Sequence, residues 1–133
     1  PAIMELSWGI VDVRDVALAH VLAAENSQAT GRYLCAAQDV SMRRLIELLT
    51  PLAQPGERLP TRGIDFPIAS FFARFFAFTQ QKGAADYMRT HLGRRARFNT
   101  SKIQRELGLT YRDVPATIAE TVADLRAWGH LKG

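Results

Sequence analysis

Cysteine is nearly absent from the 133-residue chain: Cys35 stands alone. No internal disulfide framework and no cysteine-only zinc cluster can therefore be built. Long apolar runs are missing as well. No stretch approaches the roughly 20 residues that span a bilayer, and no basic start followed by an apolar core marks a signal peptide. The chain is accordingly expected to be cytoplasmic, with no membrane partner. Internal repeats and low-complexity tracts are absent, and 47% apolar with 23% charged residues is an ordinary globular balance, unlike that of a disordered chain. Neither sign of charge dominates. Seventeen basic residues, fourteen of them arginine, face 13 acidic ones for a net +4, which is normal for solubility and little reason by itself to expect nucleic acid. The length suits a single domain, and residues 1–133 are read as one α/β unit. Pro1 stands where a translated chain begins with methionine, and is read as a sign of processing or of a piece of something longer.

The missing motifs restrict the chemistry further. There is no G-x-G-x-x-G to let a pyrophosphate approach a helix N-terminus, and no G-x-x-x-x-G-K-[ST] to cradle a nucleoside triphosphate. No H-E-x-x-H, C-x-x-C or paired-histidine spacing supports a metal site. A G-x-S-x-G elbow is lacking. A tyrosine could be activated by a lysine four residues on, but Tyr33, Tyr87 and Tyr111 are followed there by Ala37, His91 and Pro115. The chain carries no recognisable catalytic set.

What is present alternates strand-like and helix-like patterns. Residues 7–13 (SWGIVDV) suit a strand. Asp15 offers a cap to an apolar helix that ends near Asn26 and, with so few polar residues, is expected to be mostly buried. Residues 31–37 (GRYLCAA) read as a second strand after the turn residues Thr30 and Gly31. Ser41 caps a helix striped by Met42, Leu45, Ile46 and Leu49, which Pro51 ends. Residues 54–63 hold two prolines and two glycines and read as loop. Six of the seven phenylalanines lie between Phe66 and Phe78, in a segment read as a helix covered on both faces. Another helix runs through Tyr87, Met88 and Leu92 to Gly93. Residues 95–99 are read as extended. A helix over about 100–107 ends at Gly108, and a last one runs from Pro115 to Trp128 with Ile118, Val122 and Leu125 on one face.

Four features invite a functional reading. His20, in the apolar helix, is either a satisfied, partly buried histidine or a catalytic one. Cys35 reads as a buried inert thiol, because nothing basic flanks it closely. The run Arg89, His91, Arg94, Arg95, Arg97 is either a solvated surface or a contact for a phosphate or carboxylate, with Arg94 and Arg95 the candidates. Nucleic acid fits it less well, since no aromatic platform interleaves with the arginines. The phenylalanine cluster is core, a lid over an apolar substrate, or a surface for another domain.

Residues 8–23 (WGIVDVRDVALAHVLA) resemble a late signature of the extended short-chain dehydrogenases/reductases, the NAD-dependent epimerase/dehydratase group. Further likenesses follow in the same order. They are Gly31-Arg32-Tyr33-Leu34-Cys35, then Ser41 with its leucine-rich helix, then Phe98-Asn99-Thr100-Ser101-Lys102 through Glu106-Leu107-Gly108-Leu109, and the closing amphipathic helix. The G-R-Y-L-C strand and the closing pattern lean toward the dihydroflavonol 4-reductase and aldehyde-reductase branch. The resemblance implies a mixed, mostly helical α/β fold with a few short strands, the C-terminal substrate-binding portion of such an enzyme, with the Rossmann half missing. It implies that the full-length parent uses NAD or NADP to move hydride to or from a carbonyl or alcohol carbon of a small molecule. The fragment alone would be inactive and would bind no cofactor tightly. Its contribution would be pocket wall: Trp8 and Gly9 beside the signature strand, and Phe71 and Phe75 in the variable segment that closes over substrate. Its partners would be the missing Rossmann half and, in isolation, a second copy covering the apolar helix. The competing expectation is a stand-alone, non-catalytic interaction or small-molecule-binding module of the same family.

Overall fold

In a computed structural model the described residues are 2–3, 6–63, 86, 90 and 97–131. The expected helix over 64–78 lies outside them, as do Phe71, Phe75, Arg94 and Arg95; of the expected helix over 87–92 only Thr90 is described, and it is helical. The described architecture is a mixed α/β one, with short strands β1 (Ala2–Ile3), β2 (Ser7–Ile10), β3 (Gln38–Ser41) and β4 (Arg62–Gly63), and helices α1 (Val13–Glu25), α2 (Met42–Leu49), α3 (Ser101–Leu107) and α4 (Val114–Ala127). The chain divides into two compact units, Pro1–Trp8 with Val40–Ala96, and Gly9–Asp39 with Arg97–Gly133.

In the first unit β1 pairs in parallel with β4, Ala2 opposite Arg62 and Ile3 opposite Gly63. Among its described residues Ile3, Leu6 and Val40 are buried. Ser41 caps α2 as its sequence suggests, its hydroxyl accepting from the Arg44 N–H at 3.2 Å. The α2 stripe of Met42, Leu45, Ile46 and Leu49 is half-buried. Pro51 cannot continue the α-helix, and the chain tightens into a 3₁₀ turn over Thr50–Leu52.

The second unit is built around α3. Ile103, Leu107 and Leu109 bury themselves with Ala19 of α1, and Leu22, Ala23, Ala29, Tyr33, Cys35 and Tyr111 pack around them. Gly108 ends α3 in the left-handed region at φ 66°, where a side chain would be strained. That bend lets Leu107 and Leu109, on either side of it, reach the same core. In α4 the buried stripe is Val114, Ile118 and Val122; Ile118 and Val122 lie on the expected face, whereas Leu125, expected beside them, is exposed.

Three readings need correction. Residues 31–37 form no strand; β3 begins at Gln38 instead. Helix α1 is not mostly buried: only Asp15 and Ala19 are, because it packs through the narrow Ala19, Leu22 and Ala23 face, while Val13, Leu18 and Val21 stay exposed. Finally, Asp15 is not the cap of α1. Asp12 is.

Candidate functional site

Helix α1 begins where Asp12 folds back on its own first turn. The Asp12 carboxylate accepts from the Arg14 N–H at 2.8 Å, from Arg14 Nε at 2.9 Å and from Arg14 Nη2 at 2.6 Å. The Thr117 hydroxyl of α4 donates to it at 2.8 Å. Arg14 continues the chain of charge to Glu120, 2.5 Å away. The Arg14 side chain, its largest influence, holds the Asp12 carboxyl well below the usual carboxylate range despite its burial. A carboxyl depressed in the folded state stabilises fully above its unfolded pKa, and loses that contribution as pH falls toward the folded value. Acid titration of stability should therefore show a loss beginning near pH 4 and continuing below it, and Asp12→Asn should flatten that part of the profile. Urea midpoints measured from pH 6 down to pH 2 would check it; equal acid slopes in the two proteins would refute it.

One turn on, Asp15 is fully buried and faces Arg112 in the loop between α3 and α4. Its carboxylate accepts from the Arg112 N–H at 2.8 Å and from the Arg112 guanidinium. Together the two carboxylates fasten the start of α1 to α4 and to the loop before it. Neither is presented to solvent as a free acid or base.

The stretch Ser101–Leu107 has a similarly structural logic. Lys102 Nζ donates to the Thr30 carbonyl at 2.5 Å and lies 4.3 Å from the centre of the Tyr33 ring. Glu106 accepts from the Tyr33 hydroxyl at 3.0 Å, and its own carbonyl accepts from Asn26 at 3.1 Å. This clasp closes the 26–33 loop over α3. Burial first and Glu106 second push the Tyr33 phenol above its ordinary value, so it remains a neutral donor.

Of the candidate site residues, Gly9 has the most specific geometry. A Cβ at Gly9 would lie 2.7 Å from Phe98 Cε2 and 3.1 Å from Ala36 Cβ. The Phe98 ring thus lies directly on the β2 backbone, and the Phe98 N–H reaches Asp39 at 3.4 Å. Gly9→Ala should push the ring off this seat at a cost of about 1–3 kcal/mol. Phe98→Ala in the same chain should remove most of that cost, which a double-mutant cycle on urea midpoints would read. Trp8, in the other unit, is half-buried.

The remaining candidates divide cleanly. His20 is exposed, with Nδ1 2.7 Å from the Val16 carbonyl one turn back; it is neither a core histidine nor close to a catalytic partner among the described residues. Cys35 is half-buried rather than fully buried, beside Tyr111, whose hydroxyl is enclosed and held above the usual phenol value, chiefly by burial. Arg97 is exposed. Among the described residues no group of three or more His, Cys, Asp or Glu is placed to hold a metal ion, and no helix is long and apolar enough to cross a membrane. Sequence reasoning read Asp12 as part of the strand-to-helix junction, where it caps α1, but missed Arg112 and Phe98 as determinants of this region.

No protein-family model matches the chain. Individual proteins do. Cinnamoyl-CoA reductase 1 of Petunia hybrida is 31% identical over 121 residues, covering 91% of this chain and 29% of its own length. Cinnamoyl-CoA reductase 1 of Arabidopsis thaliana is 33% identical over 126 residues, covering 95% of this chain and 30% of its own. Both of these relatives are named as reductases. An anthocyanidin reductase of Vitis vinifera adds 39% identity over 64 residues, 48% of this chain and 19% of its own. The chain spans about 30% of the length of the cinnamoyl-CoA reductases it matches. The crystal structure of gox2253 superposes with a TM-score of 0.70 at 23% identity, covering 99% of this chain and 41% of that one, which establishes likeness of fold.

Proposed function

We propose that this chain is the C-terminal, substrate-side portion of an NAD(P)-dependent reductase of the extended short-chain dehydrogenase/reductase family. In full length the enzyme reduces a carbonyl or thioester carbon of a small aromatic substrate, of the kind named in cinnamoyl-CoA and anthocyanidin reductases. The observation that carries the reading is the similarity to cinnamoyl-CoA reductases across 91–95% of the chain.

Among the described residues, the N-termini of α1 and α4 do not suit a dinucleotide phosphate. Helices α1 and α4 are capped by the carboxylates of Asp12 and Asp113, which repel the phosphate that a helix N-terminus would otherwise attract. The space a side chain would take at Gly9 is filled by Phe98 rather than left open as a cradle. In this reading the coenzyme and the proton donor are held by the remainder of the polypeptide. This portion supplies pocket wall, with Trp8 and Gly9 on β2, and Phe71 and Phe75 in the segment outside the described residues. Gly9 and its Phe98 lining set how much room that wall leaves. Arg94 and Arg95 are the proposed contacts for an anionic group on the substrate. In isolation the 133-residue chain self-associates through the exposed Val13, Leu18 and Val21 of α1; a clean monomer in sedimentation at high concentration would refute this.

The test is the coding DNA upstream of Pro1, followed by expression of the longer reading frame. An upstream glycine-rich strand–helix turn and a Tyr-x-x-x-Lys are expected, together with NAD(P)H oxidation driven by cinnamoyl-CoA or an anthocyanidin. A start codon directly before Pro1 would overturn the reading, in favour of a stand-alone binding module.

A further inference from the structure

The Phe98 ring is both fixed in place and open to solvent. Its Cδ2 and Cε2 atoms lie 2.8 and 2.7 Å from the point where a Gly9 Cβ would stand, and Ala36 Cβ lies 3.1 Å from the same point. Glycine within a strand commonly marks such a close approach, because the backbone there has no side chain in the way. The main chain around Phe98 is held as well. Its N–H donates to Asp39 at 3.4 Å, and the side chain of the next residue, Asn99, accepts the Ser101 N–H at 3.1 Å as α3 begins. With one side of the ring seated on β2, the residue still stays 39% exposed. A rigid aromatic surface is left facing outward.

We infer that the open side of Phe98 is the stacking surface for the aromatic ring of the substrate, which makes Phe98 a specificity-determining residue of the reductase. The inference rests on the proposed reading of the chain as part of such an enzyme, and adds to it the group that selects for an aromatic ring. Aromatic rings attract one another offset or edge to face, with centroids about 4.5–7 Å apart. A ring braced by backbone presents that surface in advance, so little further freedom is lost when a ligand settles on it. A saturated ring of similar size gains the burial of apolar surface but not the electrostatic part of stacking, which comes from the π quadrupole. Phe98 thus discriminates by the chemistry of the ligand ring, while Gly9 acts by leaving Phe98 its seat.

The test uses the longer polypeptide, with NAD(P)H oxidation driven by cinnamoyl-CoA or an anthocyanidin as the reaction to be inhibited. Cinnamate and β-cyclohexylacrylate are compared as inhibitors, since they differ in the aromaticity of the ring and little in its size. In the unaltered enzyme cinnamate should bind more tightly. Phe98→Leu keeps apolar bulk and removes the ring face, and should cut the preference for cinnamate about 3–10-fold. Phe98→Tyr should retain it. Gly9→Ala, which unseats the ring, should lower the preference in the unaltered background and change it no further in the Phe98→Leu background. If Phe98→Leu does not fold, Gly9→Ala alone decides: an undiminished preference there overturns the inference. Equal weakening of both inhibitors by Phe98→Leu would mean that the ring is packing only, and would overturn the inference while leaving the proposed function intact. An unchanged preference, or none in the unaltered enzyme, would do the same. A longer polypeptide that oxidises NAD(P)H with neither substrate removes the proposed function and this inference with it.

Discussion

Asp15→Ala is expected to lower the unfolding free energy by about 3 kcal/mol, because it leaves Arg112 without the buried carboxylate that accepts both its backbone N–H and its guanidinium. The Arg112 side chain is 45% exposed, so water compensates part of the lost ion pair and keeps the cost toward the low end for a broken buried pair. Asp15→Asn retains an oxygen for the Arg112 N–H and nearly the same volume, and should cost about 1–2 kcal/mol. Asp15→Ala combined with Arg112→Ala should be less damaging than the sum of the two single changes, since removing both charges leaves neither stranded. Urea denaturation followed by circular dichroism measures all four proteins. Additive losses would show that the two residues act independently.

Ile103→Ala is expected to cost about 3–4 kcal/mol, and Ile103→Val about 1 kcal/mol. Ile103 is 1% exposed at the centre of the cluster that α1, α3 and the Leu109–Tyr111 segment build together. Ala19 opposite it is already small, so no larger neighbour can swing in to fill the space. Val13→Ala provides the contrast. Val13 is 78% exposed on the other side of α1, and its truncation should change stability by less than about 0.5 kcal/mol. An equal loss at both positions would mean that α1 is buried on two sides.

Several features of this chain were legible before any coordinates. Ser41 before an apolar stripe, Gly108 after one, and Pro115 in a first helical turn each have a local physical meaning, and each stands where it was expected. The motif Ser101-Lys102 to Glu106-Leu107-Gly108-Leu109 was legible as a family likeness, and its reason is now visible. Lys102 and Glu106 hold the 26–33 loop, while Leu107 and Leu109 enter the core on either side of a left-handed glycine. The site was less legible. That Gly9 matters follows from the ring of Phe98, 89 positions further along the chain, resting on it, and no local pattern reports such a contact.

The failed readings share one cause. Asp15 looked like a cap because a carboxylate at the start of an apolar helix usually is one, but Asp12 stands closer to the turn and Arg112 claims Asp15 from almost a hundred residues away. Residues 31–37 looked like a strand because tyrosine, leucine and cysteine in alternation favour one, yet a strand exists only with a partner. By itself the sequence determined the start of α2, the glycine that ends α3, most of the α4 stripe and the likeness to reductases, because each rests on neighbours within a few residues. Tertiary structure decided which partner claims the buried Asp15 carboxylate and where the Phe98 ring rests, because those depend on groups that only folding brings together.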